Sequence, residues 1–339
     1  MIPAVADPLA RPIPLLLSRS DVAALLTLQT CIPAVEEAFA AHARGETFTP
    51  AISHVDGDGG EFHIKSGGLR RGGRAYFALK ANGGFFQNRA KHGWPAIQGI
   101  VYLADAANGC PLAVMDSRDI TMLRTGAATA IAAKHLARPN SSVATVAGCG
   151  VQGRVQLQAL AAVLRLEKVF AWSRDAAKAA AFAEQMRVEL GVTVLPATSL
   201  GGALAESDVL VTCTPARRFF VEAGMVRPGT FIAAVGADSP DKQEIDPRLL
   251  ATSGVVGDLL GQCVEVGDLH HAIAAGLMRR EQARGELGQV INGTVKGRQS
   301  AEEIVIFDST GTALQDVAAA AAVYEQALST GRGQRFSFV

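Results

Sequence analysis

Gly148-Cys-Gly-Val-Gln-Gly153 stands where an apolar, β-branched run over residues 142–147 meets a segment with helical periodicity, residues 152–164. A G-x-G-x-x-G alone says little in a chain with 35 glycines. At a strand-to-helix junction it constrains the fold strongly. Glycine at 148 permits a tight turn, glycine at 150 lets the backbone approach a pyrophosphate, and glycine at 153 lets strand and helix pack closely. The phosphates then sit on the free N–H groups at the helix N-terminus. Further short apolar strands at 168–172, 192–195, 209–212, 231–235 and 304–307, with a helix at 176–190, continue the alternation. Alternating strands and helices imply a parallel sheet, and so an α/β, Rossmann dinucleotide-binding domain over residues 138–311.

The chain before residue 138 is patterned differently. Residues 13–17 read as a strand, residues 18–21 as a helix start capped by Ser20 or Asp21, and residues 35–43 as helix. Glycine-broken runs at 61–65, 75–80 and 99–103, with turns at 57–60 and 70–73, predict an antiparallel sheet. Residues 116–136 and 312–329 read as alanine-rich helices, the second expected to pack back on the first domain. Residues 1–137 with 312–339 thus form the expected α+β substrate-binding and dimerisation domain.

Composition narrows the function. Lys+Arg and Asp+Glu are both 32, so no basic excess points to nucleic acid or a membrane surface. No apolar run is long enough for a bilayer span. Pro3, Pro8, Pro12 and Pro14 interrupt the apolar N-terminal stretch, which reads as a mobile lead-in and not as a signal peptide. Cys31, Cys110, Cys149, Cys213 and Cys263 are scattered without metal-type spacing, as expected of reduced thiols in a cytoplasmic protein with no metal site.

The second strand of such a sheet selects the cofactor at its end. Here it runs into Ser173 and Arg174. A hydroxyl and a guanidinium suit a 2′-phosphate, whereas an Asp or Glu there would hold a free ribose hydroxyl. NADP(H) is therefore expected over NAD(H), which stays possible because Asp175 lies one residue on. Thr212 and Thr214 follow another strand at the sheet's carboxyl edge and are expected to line the cofactor.

Four stretches carry a family resemblance: Tyr76-Phe-Ala-Leu-Lys80 with Asn88 and Gly93–Gly99; Pro111–Asp116 with Ile120–Ala128; the glycine fingerprint; and Val235-Gly-Ala-Asp238 through Glu244, supported by Phe307–Gly311 and Gln315-Asp316. In this order they resemble the ornithine cyclodeaminase/μ-crystallin family over nearly the whole chain. The resemblance implies that Lys80 meets the substrate's carboxylate or imine, Arg124 grips its carboxylate, and Asp238 handles the proton on its nitrogen. It places Thr310 against substrate. It places Thr125, Val151, Gln152, Val235, Lys242 and Ser309 near the nucleotide. The residue types suit the chemistry: a guanidinium fork binds a carboxylate at two points, and a carboxyl group in hydrogen-bond reach exchanges a proton with nitrogen.

The chain departs from the family where many members carry an arginine after the proline of Pro50-Ala-Ile-Ser-His54. Lys65 is expected to take over that carboxylate contact, with His63 beside it on the same strand face. Ala96 also replaces a threonine that commonly faces the cofactor. The resulting expectation is an NADPH-dependent reductase of cyclic 2-imino acids, acting as a homodimer, with Phe85, Phe86 and Trp94 in the pocket wall. Ornithine cyclodeaminase, an alanine-type dehydrogenase and a non-catalytic binding protein are the alternatives, in that order.

Overall fold

Two sheets organise residues 12–337, the part of the chain described by the computed structural model. The expected lead-in before residue 12 lies outside the described residues. Strand β1 (Leu15–Leu17) runs into α1 (Arg19–Leu25). Its cap is Ser18, which corrects the expected Ser20 or Asp21. The Ser18 hydroxyl accepts from the Asp21 N–H at 3.2 Å and the Asp21 carboxylate accepts from the Ser18 N–H at 3.0 Å. This reciprocal box satisfies two end donors at once. Helix α2 (Leu28–Ala43) starts well before the expected residue 35. Pro33 hides its first turns, since proline has no N–H to donate. The buried face of Cys31, Val35, Ala38 and Phe39 keeps the helix intact.

The first sheet is built from β2 (Thr47–Gly57), β3 (Gly60–Arg71), β4 (Arg74–Gly84), β5 (Ile97–Asp105) and β6 (Pro111–Asp116), with a short α3 (Asn88–His92) before β5. Two of these strands escape the sequence pattern. β2 is mostly exposed and contains Pro50, so it shows no clean alternation. β6 takes up residue 116, which the pattern assigns to the following helix; that helix, α4, spans Arg118–Leu136. β1 adds in parallel to β6.

The second sheet holds β7 (Val143–Ala147), β8 (Lys168–Trp172), β9 (Thr193–Pro196) and β10 (Val209–Thr212), interleaved with α5 (Val151–Ala161), α6 (Ala176–Leu190) and α7 (Leu200–Glu206). A small ladder of β11 (Arg217–Val221) and β13 (Gln243–Ile245) flanks it, and β12 (Phe231–Ala234) lies in the sheet itself. After α8 (Pro247–Ala251) comes β14 (Gly254–Gly257), a buried strand too short and glycine-bounded to be read from the sequence. Helices α9 (Leu260–Val266) and α10 (Asp268–Ala274), β15 (Gly285–Glu286), α11 (Leu287–Ile291) and β16 (Val305–Asp308) complete this half. The strand order is β15-β14-β16-β12-β10-β7-β8-β9, and every pairing is parallel. The order reverses between β7 and β10, where ligands bind in such sheets.

Helix α12 (Ala313–Thr330) returns to the first sheet, packing on β3, β4, α2 and α4. The short β17 (Gln334–Arg335) then pairs with β1, so residues 305–308 do not form the last strand of the chain. One apolar core runs from Leu17 and Leu103 through α4 and α12 to Val146 and Phe231. Among the described residues no single helix is long and apolar enough to cross a membrane.

Candidate active site

The glycine fingerprint forms the floor of a cleft at the switch point. Gly148 has φ +125°, and a Cβ there would stand 2.8 Å from the Cys213 carbonyl. A Cβ on Gly153 would stand 2.0 Å from the Gly148 carbonyl, so only glycine lets α5 approach β7 this closely. Gly150 meets nothing within 4 Å and caps α5 without a side chain. Its open face and the uncapped N–H groups behind it fit a dinucleotide pyrophosphate.

From here a groove of about 670 Å³ runs over Trp172, Ser173, Arg174, Lys178, Thr214, Arg217 and Arg218. Four cations and no carboxylate line it. Asp175 is engaged elsewhere, capping α6 by accepting from the N–H groups of Ala177 and Lys178. In the other direction Val151 and Gln152 share a cavity with Trp94, Ile97 and Thr121. Ile97 and Thr121 in turn line a smaller cavity of about 100 Å³, so the cleft leads from the glycine loop to that cavity.

Strand alternation supplies its walls. Glu61, His63 and Lys65 lie on one face of β3, and Lys80, Asn82 and Gly84 stand directly opposite them on β4. Arg124 enters from α4, and Asp238 and Lys242 from the turn after β12. Lys80 is 2% exposed and its Nζ donates to Asp316 Oδ1 at 2.8 Å; Arg124 Nε lies 3.0 Å from the same oxygen. Arg124 also donates to the Gln315 amide oxygen at 2.7 Å. Lys65 donates to the carbonyls of Thr310 (3.1 Å) and Gly311 (2.5 Å). Helix α12 and the loop before it therefore hold three cations that strands and α4 deliver.

Burial, then the Arg124 guanidinium, press the Lys80 ammonium down to about 7 against the pull of Asp316. Burial and Arg124 likewise lower Lys65. Burial works to raise Asp316, but Lys80 and Arg124 overcome it and hold the carboxyl ionised. Asp238 behaves similarly. It is walled in by protein, yet its side chain is 41% exposed to the cavity. Burial raises it, while Lys242 at 2.5 Å and Lys65 outweigh that and keep it below the ordinary carboxylate range.

Behind the site lies a layer of buried acids. Glu244 accepts from Thr214 N–H (2.6 Å), Thr214 hydroxyl (2.7 Å) and Gly236 N–H (2.8 Å), pinning the loops that carry Thr214 and Asp238. Burial raises its carboxyl. Asp308 is pushed to about 7 by burial and Asp258, and Asp268 well upward by burial and Asp308.

The structure brings Lys65, His63, Lys80, Arg124 and Asp238 to one cavity and Gly148, Gly150, Ser173, Arg174 and Thr214 to one groove. The remaining expected residues have partners within the protein. Lys242, expected near the nucleotide, reaches Asp238 in the small cavity. Thr310 does not line that cavity: its hydroxyl donates to Asp258 at 2.8 Å and only its carbonyl meets Lys65. The Thr125 hydroxyl donates to the Thr121 carbonyl one turn back in α4. Thr212 is fully buried beneath the groove. Val235 and Ser309 sit at strand ends, their N–H groups bonded to Thr212 and Ala234. Phe86 lines the small cavity, and Trp94 lines the neighbouring one. The sequence reading misses Asp316 and Glu244 as organising groups. A carboxylate within the apolar stretch Leu314–Ala321 is the signal that could have found the first. The sequence also lacks metal-type spacing, yet hairpin register sets His54 beside His63 with Glu61 in reach.

Comparison with known proteins gives a consistent result. The family described as "Ornithine cyclodeaminase/mu-crystallin family" matches residues 13–331. The alanine dehydrogenase of Archaeoglobus fulgidus is 39% identical over 327 residues, 96% of this chain and 98% of that protein. A solved archaeal alanine dehydrogenase dimer with bound NAD superposes with TM-score 0.91 at 38% identity, covering 96% of this chain and 99% of that one. The Δ1-pyrroline-2-carboxylate reductase of Thermococcus litoralis, solved with NADH and L-proline, superposes with TM-score 0.89 at 33% identity, covering 95% and 100%.

Proposed function

The chain belongs to the ornithine cyclodeaminase/mu-crystallin family, and from that premise we propose that it is an NAD(P)H-dependent reductase of cyclic 2-imino acids. Δ1-Pyrroline-2-carboxylate and Δ1-piperideine-2-carboxylate, giving proline and pipecolate, are the substrates proposed. One observation carries the reading. A single small cavity holds two buried cations fixed by Asp316 together with an ionised carboxylate, Asp238.

A protonated 2-imino acid is the complement of that arrangement. Its carboxylate meets Lys80 and Arg124, and its positive nitrogen meets Asp238. A bound nicotinamide dinucleotide supplies the hydride to C2. Because Asp238 is held ionised, it pairs with the iminium and does not donate to it in the resting protein. Lys80, pressed down to about 7, offers its carboxylate-binding cation below that pH and loses it above. The apolar contribution of Phe86 and Ile97 suits ring methylenes, and about 100 Å³ suits a ligand far smaller than those of ~300–1,000 Å³ pockets.

Nicotinamide absorbance with Δ1-pyrroline-2-carboxylate tests the reading. NADPH is expected to be consumed, and Asp238→Asn, which removes the charge paired with the iminium, to lower kcat/KM by about 10²–10³. No oxidation in protein that binds the nucleotide rejects it. The similarity to an alanine dehydrogenase favours a second reading, amination of a linear 2-oxo acid, so pyruvate with ammonia belongs in the same assay.

NADP(H) is the preferred cofactor in this proposal. Arg174, Lys178, Arg217 and Arg218 line the groove, and Asp175 is spent on a helix cap. Tighter binding of NADH than of NADPH overturns the preference. A homodimer is also proposed, supported by the exposed apolar side chains Phe48, Val55, Phe62 and Ile100 on the first sheet. A monomer in light scattering rejects it.

A further inference from the structure

The hairpin of β2 and β3 gathers three ligand-type side chains that the reduction above does not use. His54 faces His63 across the hairpin register, and Glu61 precedes His63 by two residues, so pleating puts all three on one face. The imidazole rings meet edge to face with centroids 4.4 Å apart. Glu61 Oε1 lies 2.9 Å from His63 Nε2. One ring nitrogen from each histidine and one carboxylate oxygen all fall within 4.8 Å of one another.

Atoms bound to a first-row ion at ~2.0–2.2 Å stand roughly 3–4 Å apart, so small side-chain rotations close this set. Two imidazoles and one carboxylate form a donor set that suits a borderline divalent cation and leaves coordination positions open. The neighbouring ammonium groups are already engaged. Lys65 is turned to the carbonyls of Thr310 and Gly311, and Lys242 to Asp238.

We propose that His54, Glu61 and His63 form a binding site for a first-row divalent cation at the mouth of the substrate cavity. Glu61 and His63 line that cavity, so the open positions of the ion face it and a carboxylate ligand can reach them. Occupancy of the cavity by such a ligand then tightens the ion's binding, and the ion tightens the ligand's by the same factor.

Calorimetric titration of the chelator-treated full chain with Zn²⁺ tests this, with circular dichroism to confirm each fold. One Zn²⁺ per chain is expected, weakened about tenfold or more in His54→Gln and in His63→Gln. Co²⁺ in place of Zn²⁺ is expected to give a visible ligand-field band that both variants lose. Absence of uptake by the wild-type chain overturns the proposal, and so does uptake unchanged in both variants, which places the ion elsewhere. If His63→Gln fails to fold, His54→Gln, on an exposed stretch of β2, decides alone. The readout is metal binding and not turnover, so it is independent of whether imino acids are reduced.

Discussion

The small cavity and the nucleotide groove both collect cations, but they hold them in opposite ways. In the cavity Lys65, Lys80 and Arg124 are buried; two carbonyls hold the first, Asp316 the second, and Asp316 with Gln315 the third. In the groove Arg174, Lys178, Arg217 and Arg218 lie open to solvent. A buried charge costs several kcal/mol unless paired, so the cavity's chemistry is inseparable from its stability. An exposed charge is hydrated whether or not it meets a ligand, so the groove can change selectivity with little effect on the fold.

The largest effect expected from this contrast is at Asp316. Asp316→Leu leaves Lys80 and Arg124 unbalanced in the core and should lower unfolding free energy by about 3–5 kcal/mol. Chemical denaturation measures this. A loss below about 1 kcal/mol would show that the cavity cations do not depend on Asp316.

Next comes pH. Lys80 titrates near 7 in the folded chain and at an ordinary 10.5 when unfolded, so between those values the unfolded state binds more protons. Stability from this group therefore rises with pH across that window, and Lys80→Met should flatten the rise. Asp308 acts in a lower window: its contribution is present below 3.8 and is lost as pH climbs through about 7. Substrate capture shows the reverse of the Lys80 trend. Above pH 7 the free enzyme loses that cation, so kcat/KM for a carboxylate substrate should fall by up to about tenfold per pH unit. Lys80→Arg should remove the break if the variant still binds substrate.

A smaller change is expected in the groove. Arg174→Ala should lower the NADPH-over-NADH binding ratio by about tenfold while the denaturation midpoint stays put. A midpoint that moves as far as in the Asp316 variant would erase the contrast between the two regions. The smallest effect is ionic. Raising salt should weaken NADPH binding more than NADH binding, because the screened contacts are exposed.

How much of this was legible beforehand follows the range of the interactions. The glycine fingerprint, β8, β10 and α6 are local matters of turn geometry and periodicity, and the structure has them where the sequence indicates. Lys80, Arg124 and Asp238 could be named from motifs, but nothing local shows that Asp316, far along the chain, fixes two of them. The pairing of Lys242 with Asp238 was hidden for the same reason: it depends on how the turn after β12 directs both side chains. β2 and β14 escaped because one is exposed on an edge and the other is four buried residues between glycines.

By itself the sequence determined the dinucleotide fold and the types of chemical group available, because glycine φ preferences and side-chain pKa values belong to residues. Only tertiary structure decided which charges are buried together, which carboxylate stays ionised, and that two histidines of neighbouring strands meet on one hairpin face. Those properties arise from desolvation and from distances between side chains on different elements, and neither quantity exists until the chain has packed.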